Sequence, residues 1–284
     1  MPGIGLGLGL GQFSGGGGSA YVGLLDTYPN AAAGYSVRLL SSAYSGSAIR
    51  VRRSSDNAEQ DIGFVNNELD TSSLTTFCGA GNGFVTTWYD QSGNGNNVTQ
   101  STAANQPQIV NGGSVITQGG KPSVQSSGSK ILTKSGSGTS TDNSLMIVYK
   151  ANTLGAYNTI ACIGDINGTR PLNLMLSNSV GNLRIIYDEQ GTISQDGTNT
   201  TNYELCSIFS STNNVQMNIN SIAQTLTNNT KTITANQSNI QLFADSRYGD
   251  HYIGLISELI YYASNKSTDK TGIESNINSY YGIY

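Results

Sequence analysis

The chain has 284 residues, with 14 Lys and Arg against 18 Asp and Glu for a formal charge of -4, and only 11% of its residues are charged. So few cations exclude a phosphate-backbone binder, whose affinity comes from counterions released by clustered Lys and Arg. The polar surface must come from Ser, Thr, Asn, Gln and Gly, and the ~265 residues beyond the first twenty suit one large all-β domain or two smaller ones.

Residues 3 to 19 read GIGLGLGLGQFSGGGGS. A secretory signal needs a cationic start and an unbroken apolar run, and a membrane span needs roughly 18 consecutive apolar residues; neither is present. In an extended chain Ile4, Leu6, Leu8 and Leu10 line one face, with Phe13 beyond them, while the glycines leave bare backbone on the other. Such a ribbon is stable only when laid into another chain, and the same composition also fits a disordered tail. Gly15 to Gly18 read as a flexible joint, so residues 1–20 are expected to be an anchoring arm and residues 21–284 the folded domain.

From Tyr35 onward, short alternating or aromatic segments are broken every dozen residues or so by Gly, Asn, Ser and Asp, the pattern of a sandwich or barrel. YSVRLL, SAIRVRRS and GFVTTWYD come early; SLMIVYK, TIACIG, LRIIYDE, YELCSIFS, IQLFAD and ISELIYYA come later. Within IRVRRSS the cations Arg50, Arg52 and Arg53 are followed at once by Asp56, Glu59 and Asp61, which reads as a local salt-bridge lattice. In VQMNIN, Val215, Met217 and Ile219 alternate with polar residues and predict a strand with one wet face. Two helices are expected. LDTSSLTTFCG offers Asp70 or Thr71 as cap, Leu74, Phe77 and Cys78 on one side, and Gly79 as terminator. The final stretch offers Ser267 or Thr268 as cap, and Ile273, Ile277, Tyr280 and Tyr281 as a stripe that pins the carboxyl end to the sheets.

Cys78, Cys162 and Cys206 are too far apart for a zinc site or disulfide framework and read as buried thiols. Asp90 to Asn97 carries oxygen side chains at the first, third and fifth places of a calcium loop and Gly at the sixth, but Ser101 stands where a bidentate Glu is required. Asp90 therefore reads as the cap of an Asx turn, with Gly93 and Gly95 supplying positive φ; calcium is the alternative, and no other cofactor or metal is expected. His251 is the only histidine and reads as a surface or strand-end residue beside Asp250. Aromatic faces stack on sugar rings and amides or carboxylates bond their hydroxyls, so Trp88, Tyr89, Asp188, Glu189, Arg247 and Tyr248 are candidates for a shallow glycan site. Strand tyrosines such as Tyr149, Tyr187, Tyr261 and Tyr262 read as packing residues.

The stretch YSVRLLSSAYSGSAIRVRRSSDNAEQDIGF, with LDTSSLTTFCGAGNGFVTTWYDQSGNGNNVTQ after it, resembles the catalytic domain of the α-L-arabinofuranosidase B family, and more closely that domain's relatives in bacteriophage structural proteins. The ending, from IGLISELIYYA to YYGIY, is similar to the last strand and helix of concanavalin A-like, laminin-G-like jelly rolls. The resemblance implies an all-β, two-sheet jelly-roll sandwich with a short internal helix and a terminal helix, preceded by the extended arm. It also implies a retaining glycosidase site, which needs a nucleophilic carboxylate and an acid/base about 5 to 5.5 Å apart. Asp245 in QLFADSRYGD matches the acid/base. In LRIIYDEQG, Asp188 matches a sugar-binding aspartate, Gln190 falls at the nucleophile, and Glu189 lies one residue off, which in a strand is a change of face. Where the family has neighbouring cysteines, this chain has Ala161 and Cys162.

These departures, together with the arm, lead to the expectation of a bacteriophage virion protein rather than an enzyme: a head fibre, decoration or tail appendage. Such a protein is made in the host cytoplasm, anchored in other virion proteins through Ile4 to Phe13, homo-oligomeric, and able to display the sandwich to cell-surface glycan. The alternative is a retaining, arabinofuranosidase-like hydrolase using Asp245 and Glu189, with Gln190 among its sugar contacts.

Overall fold

The computed structural model describes residues 20–136, 138–153, 158–164, 172–176, 183–186, 192–195, 201–230, 232–235, 239–246 and 249–284. The arm residues Ile4, Leu6, Leu8, Leu10 and Phe13 lie outside them.

One antiparallel ladder is organised around Ile253–Tyr262, a ten-residue strand buried at every position after the first. Its run of apolar and aromatic residues suits a strand covered on both faces. Asn143–Ala151 pairs along one edge, followed outward by Tyr203–Ser211 and Asn214–Ile219. The other edge is shared by Ala33–Ser36 and Val124–Ser127. The register slips at Val148/Tyr149, which lie opposite Glu258 and Ile256, so Ser257 is the extra residue of a bulge. Its hydroxyl bonds Ser123 Oγ at 2.6 Å and accepts from Tyr203 Oη at 2.9 Å.

The second ladder runs from Glu59–Ile62 through Ile49–Arg53, Gly83–Trp88, Val98–Thr99 and Leu132–Lys134 to Ile240–Leu242. It continues through Asn158–Ile163, Leu172–Leu176 and Leu183–Ile186 to Thr192–Gln195. Gln108–Asn111 joins the two ladders by pairing with both Gly83–Trp88 and Val124–Ser127. A single apolar core draws on both, with Val51, Trp88, Leu132 and Leu242 from one and Tyr35, Ile147, Ile208 and Leu259 from the other. This is the expected jelly-roll-like sandwich.

The internal helix, Thr71–Cys78, starts and stops as its residues dictate: Asp70 accepts from Ser73 N at 2.9 Å, and Gly79 ends it at φ 57°. The terminal helix, Lys270–Tyr281, buries Ile273, Ile277 and Tyr281 as expected, but its cap position is Asp269 rather than Ser267 or Thr268. Those two belong to the preceding turn, where Asn265 Oδ1 accepts from Ser267 N, and the Asp269 carboxylate is drawn to Lys266 at 3.4 Å. Two further pieces, the four-residue helix Leu24–Thr27 and the 3₁₀ turn Ala103–Asn105, are too short to show a period. The wet face expected of Asn214–Ile219 is interrupted at Asn218, which the terminal helix covers and whose amide donates to buried Glu274 at 2.9 Å.

The same helix is held by an ion pair that no motif announces. Arg38 grips Glu258 with two bonds, Nε to Oε2 at 2.8 Å and Nη2 to Oε1 at 3.0 Å, and donates from Nη1 to Asn276 of the helix at 2.8 Å. Both charges are almost wholly enclosed, at 8% and 1% side-chain exposure, so losing one partner would strand the other. Burial alone would lower the guanidinium's pKa, but Glu258 outweighs it and keeps Arg38 charged. The three cysteines are buried thiols outside any disulfide, as their spacing implies.

Candidate functional site

Asp245 owes its position to a backbone irregularity. After Ile240–Leu242, Phe243 adopts φ 70°, an outlier for a bulky side chain. The surroundings enforce it: Phe243 N donates to Ile160 O at 2.9 Å, its carbonyl accepts from Tyr252 N at 2.8 Å, and its ring stacks on Tyr252 at 6.4 Å and 28°. The chain thereby leaves the long ladder and forms a two-residue ladder in which Ala244 faces His251 and Asp245 faces Asp250. Gln241 Oε1 closes the turn by accepting from Ser246 N at 2.9 Å. Asp245 ends up wholly buried.

The adjoining strand, Asn158–Ile163, sets Ala161 opposite Leu242 and Cys162 opposite Gln241. The segment that carries Asp245 and the segment where the family resemblance implies paired cysteines are thus neighbours in the sheet. Asp188, Glu189, Gln190, Arg247 and Tyr248, and the packing tyrosine Tyr187, lie outside the described residues. Leu183–Ile186, which leads into the first of these, belongs to the same sheet, two strands beyond Asn158–Ile163.

Other candidates are placed elsewhere. Trp88 has no exposed surface; its indole N–H donates to Ser36 O at 3.4 Å and its ring lies 6.2 Å from that of Tyr35. It is a core residue with no face left for a sugar, which corrects its place among the glycan contacts. Tyr89 donates to Asp61 Oδ1 at 2.7 Å and so joins the Arg50–Glu59–Asp61 lattice. His251 sits at the strand end beside Asp250, half-buried, with Nδ1 enclosed and unbonded. The calcium reading of Asp90 fails on its hydrogen bonds. Oδ1 accepts from Gly34 N and Ser92 N, and Oδ2 from Ser92 Oγ and Asn96 N, so every lone pair of the carboxylate is taken. Among the described residues no group of His, Cys, Asp and Glu could hold a metal ion.

One buried carboxylate escaped the sequence reading. Glu204, 5% exposed, accepts from Tyr149 Oη at 2.7 Å. Burial, and then the Glu204 charge, pushes the phenols of Tyr149 and Tyr252 well above their ordinary range, so both stay protonated. A glutamate in the mostly apolar run YELCSIF was the available signal.

A family model described as "Alpha-L-arabinofuranosidase B, catalytic" matches residues 25–165. A probable α-L-arabinofuranosidase B of Aspergillus flavus is 30% identical over 180 residues, covering 58% of this chain and 35% of that protein. Among solved structures, a GH54 α-L-arabinofuranosidase soaked with a cyclic sulfate inhibitor is similar at TM-score 0.67 and 15% identity. An arabinofuranosidase complexed with arabinofuranosyl-α-1,2-xylobiose is similar at 0.65 and 16%; each alignment covers 87% of this chain and 62% of the other. The chain therefore spans about a third of the curated relative's length and about three fifths of the solved structures. These findings overturn the expectation of a bacteriophage virion component rather than an enzyme, and with it the location in a virion, because the family model, the relative and the structures are of arabinofuranosidases. The chain is an arabinofuranosidase-like β-sandwich.

Proposed function

We propose that this sandwich is a retaining glycoside hydrolase that releases α-L-arabinofuranosyl groups. The observation that carries the reading is the family-model match over residues 25–165, which extends into the strand beside the Asp245 segment. Asp245 is the acid/base: its carboxyl protonates the departing glycosidic oxygen, and as a carboxylate it then takes a proton from the water that attacks the glycosyl-enzyme. The nucleophile is assigned to Glu189, the carboxylate next to the position the resemblance marks. Its attack on the anomeric carbon breaks the glycosidic bond and forms an ester, which water hydrolyses with net retention.

The test is release of 4-nitrophenol from 4-nitrophenyl α-L-arabinofuranoside, a compound soaked into a similar GH54 structure. The wild-type chain should release it, and Asp245→Asn or Glu189→Gln should lower kcat about 10²- to 10⁴-fold without changing the melting temperature. No release by the wild-type protein overturns the proposal; full activity of Glu189→Gln moves the nucleophile to another carboxylate.

A further inference from the structure

The hairpin that follows the edge strand Glu59–Ile62 pairs Phe64 with Leu69 and Val65 with Glu68, leaving Asn66 and Asn67 as a two-residue turn. Both have positive φ, 53° and 66°, the geometry of a type I′ turn, whose second place suits Gly better than Asn. The turn separates two cavities. One, of about 440 Å³, is lined by Tyr44, Ser45, Ser47 and Phe64 together with the two asparagines. The other, of about 220 Å³, is lined by Tyr21, Arg38, Glu68 and Tyr280 together with the same pair. Asn66 and Asn67 line both cavities, which together make up a groove crossed by the turn, and among the described residues neither side-chain amide has a hydrogen-bond partner.

We infer that this groove binds a neutral polysaccharide chain. Its aromatic surfaces are held in place: Tyr44 donates to Ser47 O at 2.8 Å, lies across Gly46, where an added Cβ would meet its hydroxyl at 2.5 Å, and packs edge-on against Phe64 at 6.4 Å and 78°. Tyr280 is flanked by Lys121 at 4.0 Å and Arg38 at 4.9 Å. Both charges that line the groove are matched, Arg38 by Glu258 and Glu68 by Lys121 at 2.9 Å, so neither selects an anion or a cation. With the Tyr280 ring covered by the Lys121 and Arg38 cations, what remains for a ligand is the half-buried Tyr44–Phe64 surface and the planar amides, which stack on sugar rings and bond vicinal hydroxyls. Five ladder steps separate Glu59–Ile62 from Ile240–Leu242, so the groove lies apart from Asp245 and would anchor a chain rather than cleave it. Its chemistry does not depend on the hydrolase reading.

The experiment is affinity electrophoresis of the full chain through gels containing soluble arabinoxylan or, separately, anionic polygalacturonate. It compares wild type with the Asn66→Gly/Asn67→Gly variant, which removes both amides but keeps a sequence that favours the turn. Arabinoxylan should retard the wild type, and the variant at least threefold less. The variant's melting temperature should not fall, and its rate on 4-nitrophenyl α-L-arabinofuranoside, too short to reach the groove, should be unchanged. Equal retardation of the two proteins, no retardation of the wild type, retardation by polygalacturonate alone, or a parallel fall in melting temperature or glycoside rate would each overturn the inference. Amide-dependent retardation in a protein that hydrolyses nothing would support the groove and overturn the hydrolase instead.

Discussion

The Asp90 turn and the Asn66–Asn67 turn are both polar loops beside the sandwich, and both carry side chains that bind ligands in other settings. They differ in where those side chains spend their hydrogen bonds. Asp90 is 4% exposed and all four of its acceptor sites are filled by the protein, so it ties Gly34 of one ladder to the loop that leaves the other. The asparagine amides have no hydrogen-bond partner among the described residues, and the two residues line both cavities. A side chain whose bonding capacity is consumed internally organises the fold; one left over beside aromatic surface is available to a ligand.

The largest expected effect breaks the first member of that pair. Asp90→Ala strands three backbone N–H groups and should cost about 4 kcal/mol or prevent folding, read from urea denaturation. An alkaline titration comes next. Burial and then the Asp90 charge raise Tyr35 well above the usual tyrosine range, whereas Tyr44 in the groove is pushed up to about 12, by burial first and then by Asp90. Because both folded-state values lie above the unfolded value, the native chain holds more protons, and the stability this gives is complete below pH 10 and is lost as pH rises above it. The melting temperature should therefore fall above pH 10, with Tyr44 ionising in the folded protein and Tyr35 only on unfolding; phenolate absorbance checks both.

An intermediate case is Asp70, whose carboxylate accepts from Ser73 N and Ser73 Oγ. Asp70→Ala should lower the melting temperature by a few degrees. In the groove, Asn67→Gly alone should raise stability by about 0.5 kcal/mol, since glycine relieves the positive φ. Adding calcium should leave the melting temperature unchanged; a rise would reopen the Asp90 loop as a cation site.

The elements most legible in the sequence were those whose signals are local. Asp70 and Gly79 bounded a helix in the expected places, the Arg50 and Arg53 clusters paired with Glu59, Asp61 and Asp56, and Asp90 formed its turn with Gly93 and Gly95 at positive φ. Trp88 was misread because an aromatic residue has the same letter whether it stacks on a sugar or on Tyr35. The Arg38–Glu258 pair was invisible because its partners stand 220 positions apart. The virion expectation rested on the likeness to phage relatives, the departures at Gln190 and Ala161 and the glycine-rich arm, and the comparisons overturn it because what they match are arabinofuranosidases.

What the sequence by itself determined was the β-sandwich with its caps and turns, because periodicity, capping and φ preference act over a few residues. What only the tertiary structure decided was which polar side chains are consumed by the fold. The left-handed kink at Phe243 that sets Asp245 into its own short ladder depends on Ile160 and Tyr252, and the isolation of Asn66 and Asn67 depends on the strands around them. Burial and hydrogen-bond satisfaction belong to the assembled neighbours, and no window of sequence contains them.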